Sequence, residues 1–138
     1  MHLLVIDTNI FISAILGNSF PRQIIYQLVL PGKVELIVSP EVVEEYIELF
    51  SHSKFTKYPH FRTTAFDLVN ELGAIVKNIL PKKQFTILSD KDDNKFLDLA
   101  ISGRADFLIT GNTKHFPLGK FRDTEIISPK EYWNKYWN

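Results

Sequence analysis

The sequence predicts an α/β protein, a three-layer α/β/α sandwich around a mainly parallel central sheet. The short, continuously apolar run at 3–6 and the apolar-rich segments at 34–38 and 106–110 have the pattern of buried strands. Stretches with helical spacing separate those runs, and strand–helix–strand alternation favours parallel pairing through crossovers. Gly17, Pro31-Gly32, Gly73 and Gly103 fall where the helical patterns stop.

Each element has its own justification. Residues 3–6 form the first strand. Residues 9–16 read as a helix ended by Gly17, and residues 21–30 as a second, with Pro21 suited to its first turn. After the strand at 34–38, Ser39-Pro40-Glu41 supplies a hydroxyl N-cap and a proline at N1 for a helix to about residue 50. Residues 51–61 are irregular, 62–72 are helical, and 74–79 resemble a strand. A helix over 92–102 leads to strands at 106–110 and 125–127. Ser128-Pro129-Lys130-Glu131 then carries the serine and glutamate of a capping box before the closing helix.

The 138 residues suit one domain, 1–138, because domains usually run about 100–200 residues. With 45% hydrophobic and 23% charged residues, the chain has enough apolar material to fold rather than stay disordered. The absence of cysteine excludes disulfides, Cys-ligated zinc, iron–sulfur clusters and thiol catalysis. Sixteen Lys/Arg balance sixteen Asp/Glu, so attraction to a polyanion has to come from a local patch. No apolar run reaches membrane-spanning length, and Met1-His2 leads directly into the first strand without a basic leader; a cytoplasmic location is expected.

In parallel sheets, sites lie beyond the carboxyl ends of the strands where strand order switches. Asp7 follows the first strand directly, where it is either a helix-capping group or a ligand. On the helix at 41–50, Val42, Val43, Tyr46, Leu49 and Phe50 define the inward stripe. Glu41, Glu44 and Glu48 lie opposite, while Glu45 sits at the stripe's border, able to reach inward or to form an edge salt bridge. On the helix at 92–102, Asp93 falls on the apolar face of Phe96, Leu97, Ala100 and Ile101, whereas Asp98 points away. A carboxylate on such a face is costly unless capped, paired or bound to a cation; a helix-dipole role is the structural alternative. Thr110 and Asn112 emerge after the strand at 106–110, although Gly111-Asn112 also reads as a simple turn.

Three carboxylates, Asp7, Glu45 and Asp93, are thus expected to converge from separate segments. Their repulsion is resolved by a hard divalent cation, and carboxylates plus waters are what Mg²⁺ or Mn²⁺ prefers. Such an ion activates water and stabilises charge on a phosphoryl oxygen, which predicts phosphodiester hydrolysis.

Four strings stand in the order seen in PIN domains: Val5-Ile6-Asp7-Thr8-Asn9, Ser39-Pro40-Glu41-Val42-Val43-Glu44-Glu45-Tyr46, Asp90-Lys91-Asp92-Asp93-Asn94-Lys95-Phe96-Leu97 and Ala105-Asp106-Phe107-Leu108-Ile109-Thr110-Gly111-Asn112. The chain resembles that family from residue 3 to about residue 127, and within it the small stand-alone proteins of toxin–antitoxin pairs. The resemblance implies a PIN-like fold and a ribonuclease using Mg²⁺ or Mn²⁺, often a homodimer, silenced by a cognate antitoxin. It assigns Asp7, Glu45 and Asp93 as the catalytic acids, with Asp7 and Asp93 as the foremost metal ligands. Thr8 and Asn9 match the polar pair beside the first acid, and Thr110 the threonine after the last strand. Family members often carry a fourth acid where this chain has Asn112, whose amide can ligate or hold a water but brings no charge.

Residues 50–83 hold Lys54, Lys57, Arg62, Lys77, Lys82 and Lys83, with Phe55, Tyr58, His60 and Phe61 interleaved. Cations beside stacking rings suit single-stranded RNA, and a solvated loop with its rings tucked inward is the alternative. His115 follows the fourth motif and either contacts substrate or sits on a surface loop. Tyr132, Trp133, Tyr136 and Trp137 either pack on the sheet or meet a partner. A PIN fold that binds RNA or protein without turnover is the second functional reading, motivated by Asn112. A third, Asp7 as a phosphorylated aspartate, wants an acid two residues on, where Asn9 stands.

Overall fold

A computed structural model of the chain describes residues 1–17, 19–82, 91–116 and 119–138. The first apolar run is β1 (Leu3–Ile6), and it is followed by α1 (Thr8–Leu16). The second predicted helix starts as α2 (Phe20–Gln23) and loosens over Ile24–Val29 into a wider helix, with Leu30 N–H donating to Ile25 O at 3.0 Å. Ile24, Ile25, Leu28 and Val29 are all buried there.

Next come β2 (Glu35–Val38) and α3 (Pro40–Phe50). Ser39 caps α3 as its sequence promises, accepting from Val42 N–H at 3.2 Å. The irregular stretch contains one short turn of helix, and α4 (Phe61–Gly73) follows. The strand expected at 74–79 contracts to β3 (Lys77–Asn78), since Ile75 is part of the turn leaving α4 and only two residues align with β2. After α5 (Lys91–Ser102) come β4 (Phe107–Ile109), a hairpin of β5 (Lys120–Phe121) and β6 (Thr124–Ile127), and α6 (Pro129–Tyr136). Ser128 caps α6 by accepting from Glu131 N–H at 3.2 Å.

The sheet runs in the order β3-β2-β1-β4-β6-β5, parallel throughout except for the β5–β6 hairpin. From β1 the chain builds outward through β2 and β3 on one side, then returns to place β4 on the other. The switch therefore falls between β1 and β4, and the crevice expected for a site lies beyond Ile6 and Ile109.

Helices flank the sheet on both faces. Leu36 and Val38 line a small apolar cavity with Phe11 of α1, Tyr46 of α3 and Leu72 of α4. Ile37, pointing the other way, meets the end of α5. Gly103 is needed there: a Cβ would come within 3.0 Å of Ile37 and 3.1 Å of the Leu99 carbonyl. Among the described residues, no helix is long and apolar enough to cross a membrane.

One expectation about α5 fails. Asp98 is only 8% exposed instead of pointing to solvent, because α5 packs against β1, β2 and β4 on one side and α3 on another. A helix enclosed in this way has little outward face to offer.

Candidate active site

Strand pairing places the first acid. Asp7 N–H donates to Ile109 O at 3.0 Å, which continues the β1–β4 ladder one residue beyond the strand. The Asp7 carboxylate then accepts from the Thr110 hydroxyl at 2.8 Å, and the same Thr110 oxygen accepts from Asn112 N–H at 3.1 Å. Asp7 stands at the N-cap position of α1, yet its side chain makes no capping hydrogen bond. The carboxylate is aimed at the crevice and is 4% exposed.

The second acid arrives from α3. Glu45 accepts a short hydrogen bond from the Thr8 hydroxyl through Oε2 and meets Lys95 Nζ at 2.7 Å through Oε1. Tyr46, the next residue, donates its hydroxyl to the Ile6 carbonyl and thereby locks α3 to the end of β1. The third acid, Asp93 in the first turns of α5, is 8% exposed.

These groups share an open cavity of about 790 Å³ whose lining includes Asp7, Thr8, Asn9, Glu45, Asp93 and Asn112. Thr110 lies just beneath, fully buried against Asp7. Glu41, Glu44 and Glu48 are exposed, as their helical phase predicts, and they form the cavity's rim together with His52. Lys95 also lines the cavity, which sequence reasoning passed over. It lies two residues from Asp93, about 200° around an ideal helix, and only its long stem brings it back.

Burial raises the Asp7 carboxyl above the usual aspartate range. The Thr110 hydroxyl and the Asn9 and Thr8 amides oppose the rise, whereas the Glu45 charge adds to it. Burial likewise raises the Tyr46 hydroxyl well above its ordinary value, with the Asp7 and Glu45 charges adding to the effect. Asp7 thus holds its charge away from water beside a second acid, Glu45, which a cation would relieve.

The donors are all hard oxygens. Among the described residues, no three His, Asp or Glu groups are already drawn into a cage that could hold a metal ion. Glu45 is engaged by Thr8 and Lys95 instead. Two buried carboxylates and an amide oxygen still suit Mg²⁺ or Mn²⁺, which binds through one or two carboxylates and keeps several waters.

Other candidates fall elsewhere. Phe55 and Phe61 stack on each other at 4.5 Å and are buried, which leaves Tyr58 and His60 as the exposed rings among those four. Lys83 and Asp90 lie outside the described residues, as do the side chains of Asp92 and His115. The closing aromatics pack intramolecularly: Tyr132 is fully buried and shares a 2.7 Å hydrogen bond with His2 Nδ1.

Comparison with known proteins agrees with this architecture. The PIN domain family model matches residues 3–114. The uncharacterized protein MJ1680 of Methanocaldococcus jannaschii is 31% identical over 133 residues, spanning 96% of this chain and 77% of that protein. The structure of VapBC2 from Rickettsia felis, bound to a DNA fragment from their promoter, superposes with a TM-score of 0.59 at 16% identity, covering 91% of this chain and 98% of that one. FitAcB from Neisseria gonorrhoeae gives 0.57 at 16% identity, with 92% and 98% covered. With a family model spanning most of its length and a switch-point crevice built from the same segments, the chain belongs to the PIN domain family.

Proposed function

We propose that this protein is a metal-dependent endoribonuclease that hydrolyses RNA phosphodiester bonds as the toxin-like component of a toxin–antitoxin pair. PIN domains are in general metal-dependent nucleases. The observation that carries the reading is the pair of buried carboxylates, Asp7 and Asp93, lining one cavity at the strand-order switch. Bound Mg²⁺ or Mn²⁺ supplies a water nucleophile at neutral pH and stabilises phosphoryl charge. Asp7 and Asp93 hold that ion in this reading, with Asn112 adding a neutral oxygen. Thr110 fixes the Asp7 carboxylate through its 2.8 Å hydrogen bond, and Thr8 orients Glu45. Asn9 is exposed at the cavity wall, where it can meet substrate.

The partners in this reading are single-stranded RNA, a cognate antitoxin and a second copy of the chain. The VapBC2 and FitAcB fold likenesses support an antitoxin by analogy. Exposed Ile47, Phe66 and Ile75 supply apolar surface for a protein partner.

The test is cleavage of labelled single-stranded RNA in EDTA, Mg²⁺ or Mn²⁺, with Asp93→Asn beside the wild type. Metal-dependent cutting that disappears in the variant is the expected result. Asn112 favours one competing reading, a PIN-fold module that binds RNA or protein without turnover. Salt-sensitive oligonucleotide binding with no cutting in any metal would establish that alternative.

A further inference from the structure

Lys95 places a positive charge inside an acidic cavity. The described lining contains six carboxyl groups, on Asp7, Glu41, Glu44, Glu45, Glu48 and Asp93, and Lys95 carries its only ammonium or guanidinium. The ammonium is withdrawn from solvent: the Lys95 and Glu45 side chains are 18% and 26% exposed, and their ion pair closes at 2.7 Å. Both Glu45 oxygens are engaged, Oε1 by Lys95 and Oε2 by the Thr8 hydroxyl. A divalent ion at Glu45 would have to share an oxygen with that ammonium, at a separation where like charges repel strongly in a partly dry site.

The donor set points the same way: Asp7 and Asp93 are buried carboxylates in the same cavity as the Asn112 amide, whereas the Glu45 carboxylate already faces the Lys95 ammonium. Asn112 lines the cavity without adding the charge a second ion would call for. We infer that the site takes a single divalent ion, at Asp7 and Asp93, and that the Lys95 ammonium occupies the second cation position, beside Glu45. The inference rests on the metal-dependent reading above and deepens it. In two-metal sites the second ion stabilises charge on an oxygen of the phosphate being displaced. A fixed ammonium supplies a compact point charge for the same purpose and needs no free metal to fill it. Lys95 is thus a positioning residue for both the ion count and the substrate phosphate. An ordinary ion pair joining α3 to α5 would have no influence on metal stoichiometry.

Mn²⁺ titration of the intact protein, with free Mn²⁺ followed by electron paramagnetic resonance at physiological ionic strength, separates these cases. The wild type should bind one ion per chain. Lys95→Met and Lys95→Gln, checked for folding by circular dichroism, should each bind two. Lys95→Arg keeps the charge and should stay at one. Adding Glu45→Gln to Lys95→Met should return the count from two to one. Two ions on the wild type, or one on both neutral variants, would overturn the inference while leaving metal dependence intact. No bound Mn²⁺ on the wild type would overturn the metal-dependent reading itself, and this inference with it.

Discussion

At the carboxyl ends of β1 and β4 the molecule buries charge, with Asp7 4% exposed against Thr110; at the amino ends of the same strands it buries rings. There His2 sits against Phe107 at 4.9 Å and meets Tyr132, Tyr136 and Trp137 edge-on at 5.8, 5.5 and 5.9 Å. Contacts of the second kind stabilise, at about 0.5–1.5 kcal/mol per aromatic pair beyond area burial. A desolvated carboxylate held near another acid destabilises unless a cation joins it. Two ends of one sheet, built from adjacent strands, therefore differ in kind: one packs rings that hold the fold together, and the other buries the charge on which the proposed chemistry rests.

That division is broken most decisively at Asp7. Asp7→Asn should lower RNA cleavage by at least about a hundredfold, beyond the ten- to hundredfold typical of residues that merely support a metal site. The same change should raise the unfolding temperature of the metal-free protein, because a buried charge near Glu45 is removed. A fall in both would make Asp7 a structural residue and erase the contrast.

Tyr132→Ala is the mirror experiment. Truncating this fully buried ring should cost about 3–5 kcal/mol in a denaturant melt and leave cleavage per folded molecule unchanged. Thr110→Val is subtler, since it keeps the shape but removes the hydroxyl that Asp7 accepts from and that Asn112 N–H donates to. Cleavage should drop about ten- to hundredfold, read as the initial rate at saturating metal.

The smallest effect is in alkali. Burial pushes the Tyr132 hydroxyl up to about 12 from an ordinary value of 10.0. Its folded form favours the proton, so its stabilisation is complete below about pH 10 and disappears as pH climbs through about 12. Tyrosinate absorbance should show two late-ionising rings, Tyr46 and Tyr132, and Tyr132→Phe should remove one of them and flatten its share of the decline in stability.

The two ends also differ in how much of them the sequence revealed. The strand Leu3–Ile6 and the Ser39 and Ser128 caps were legible because each depends on neighbours a few residues away. Helical phase found Glu45 and Asp93 facing the cavity, but it misplaced Asp98, because phase describes one buried stripe and α5 is enclosed by sheet and helix together. Lys95 escaped for a related reason: phase locates a Cα, whereas a lysine head reaches far from its own. Strand β6 was legible, but β5 and the turn joining them gave no warning. Arg122 adopts a left-handed φ of 53°, a position that Gly or Asn would normally flag. At the amino end, His2 was silent, since its role depends on Tyr132, 130 residues away.

The place of β1 between β2 and β4 also sets a timetable. The hydroxyl that orients Asp7 is made 103 residues after it. At a synthesis rate of about 5–20 residues per second, several seconds separate the two. Through that interval β1 can pair with β2 but not with β4, so the crevice has one wall and no floor. The crevice is therefore complete only once residue 110 has emerged, and on the proposed nuclease reading activity waits for the completion of the fold.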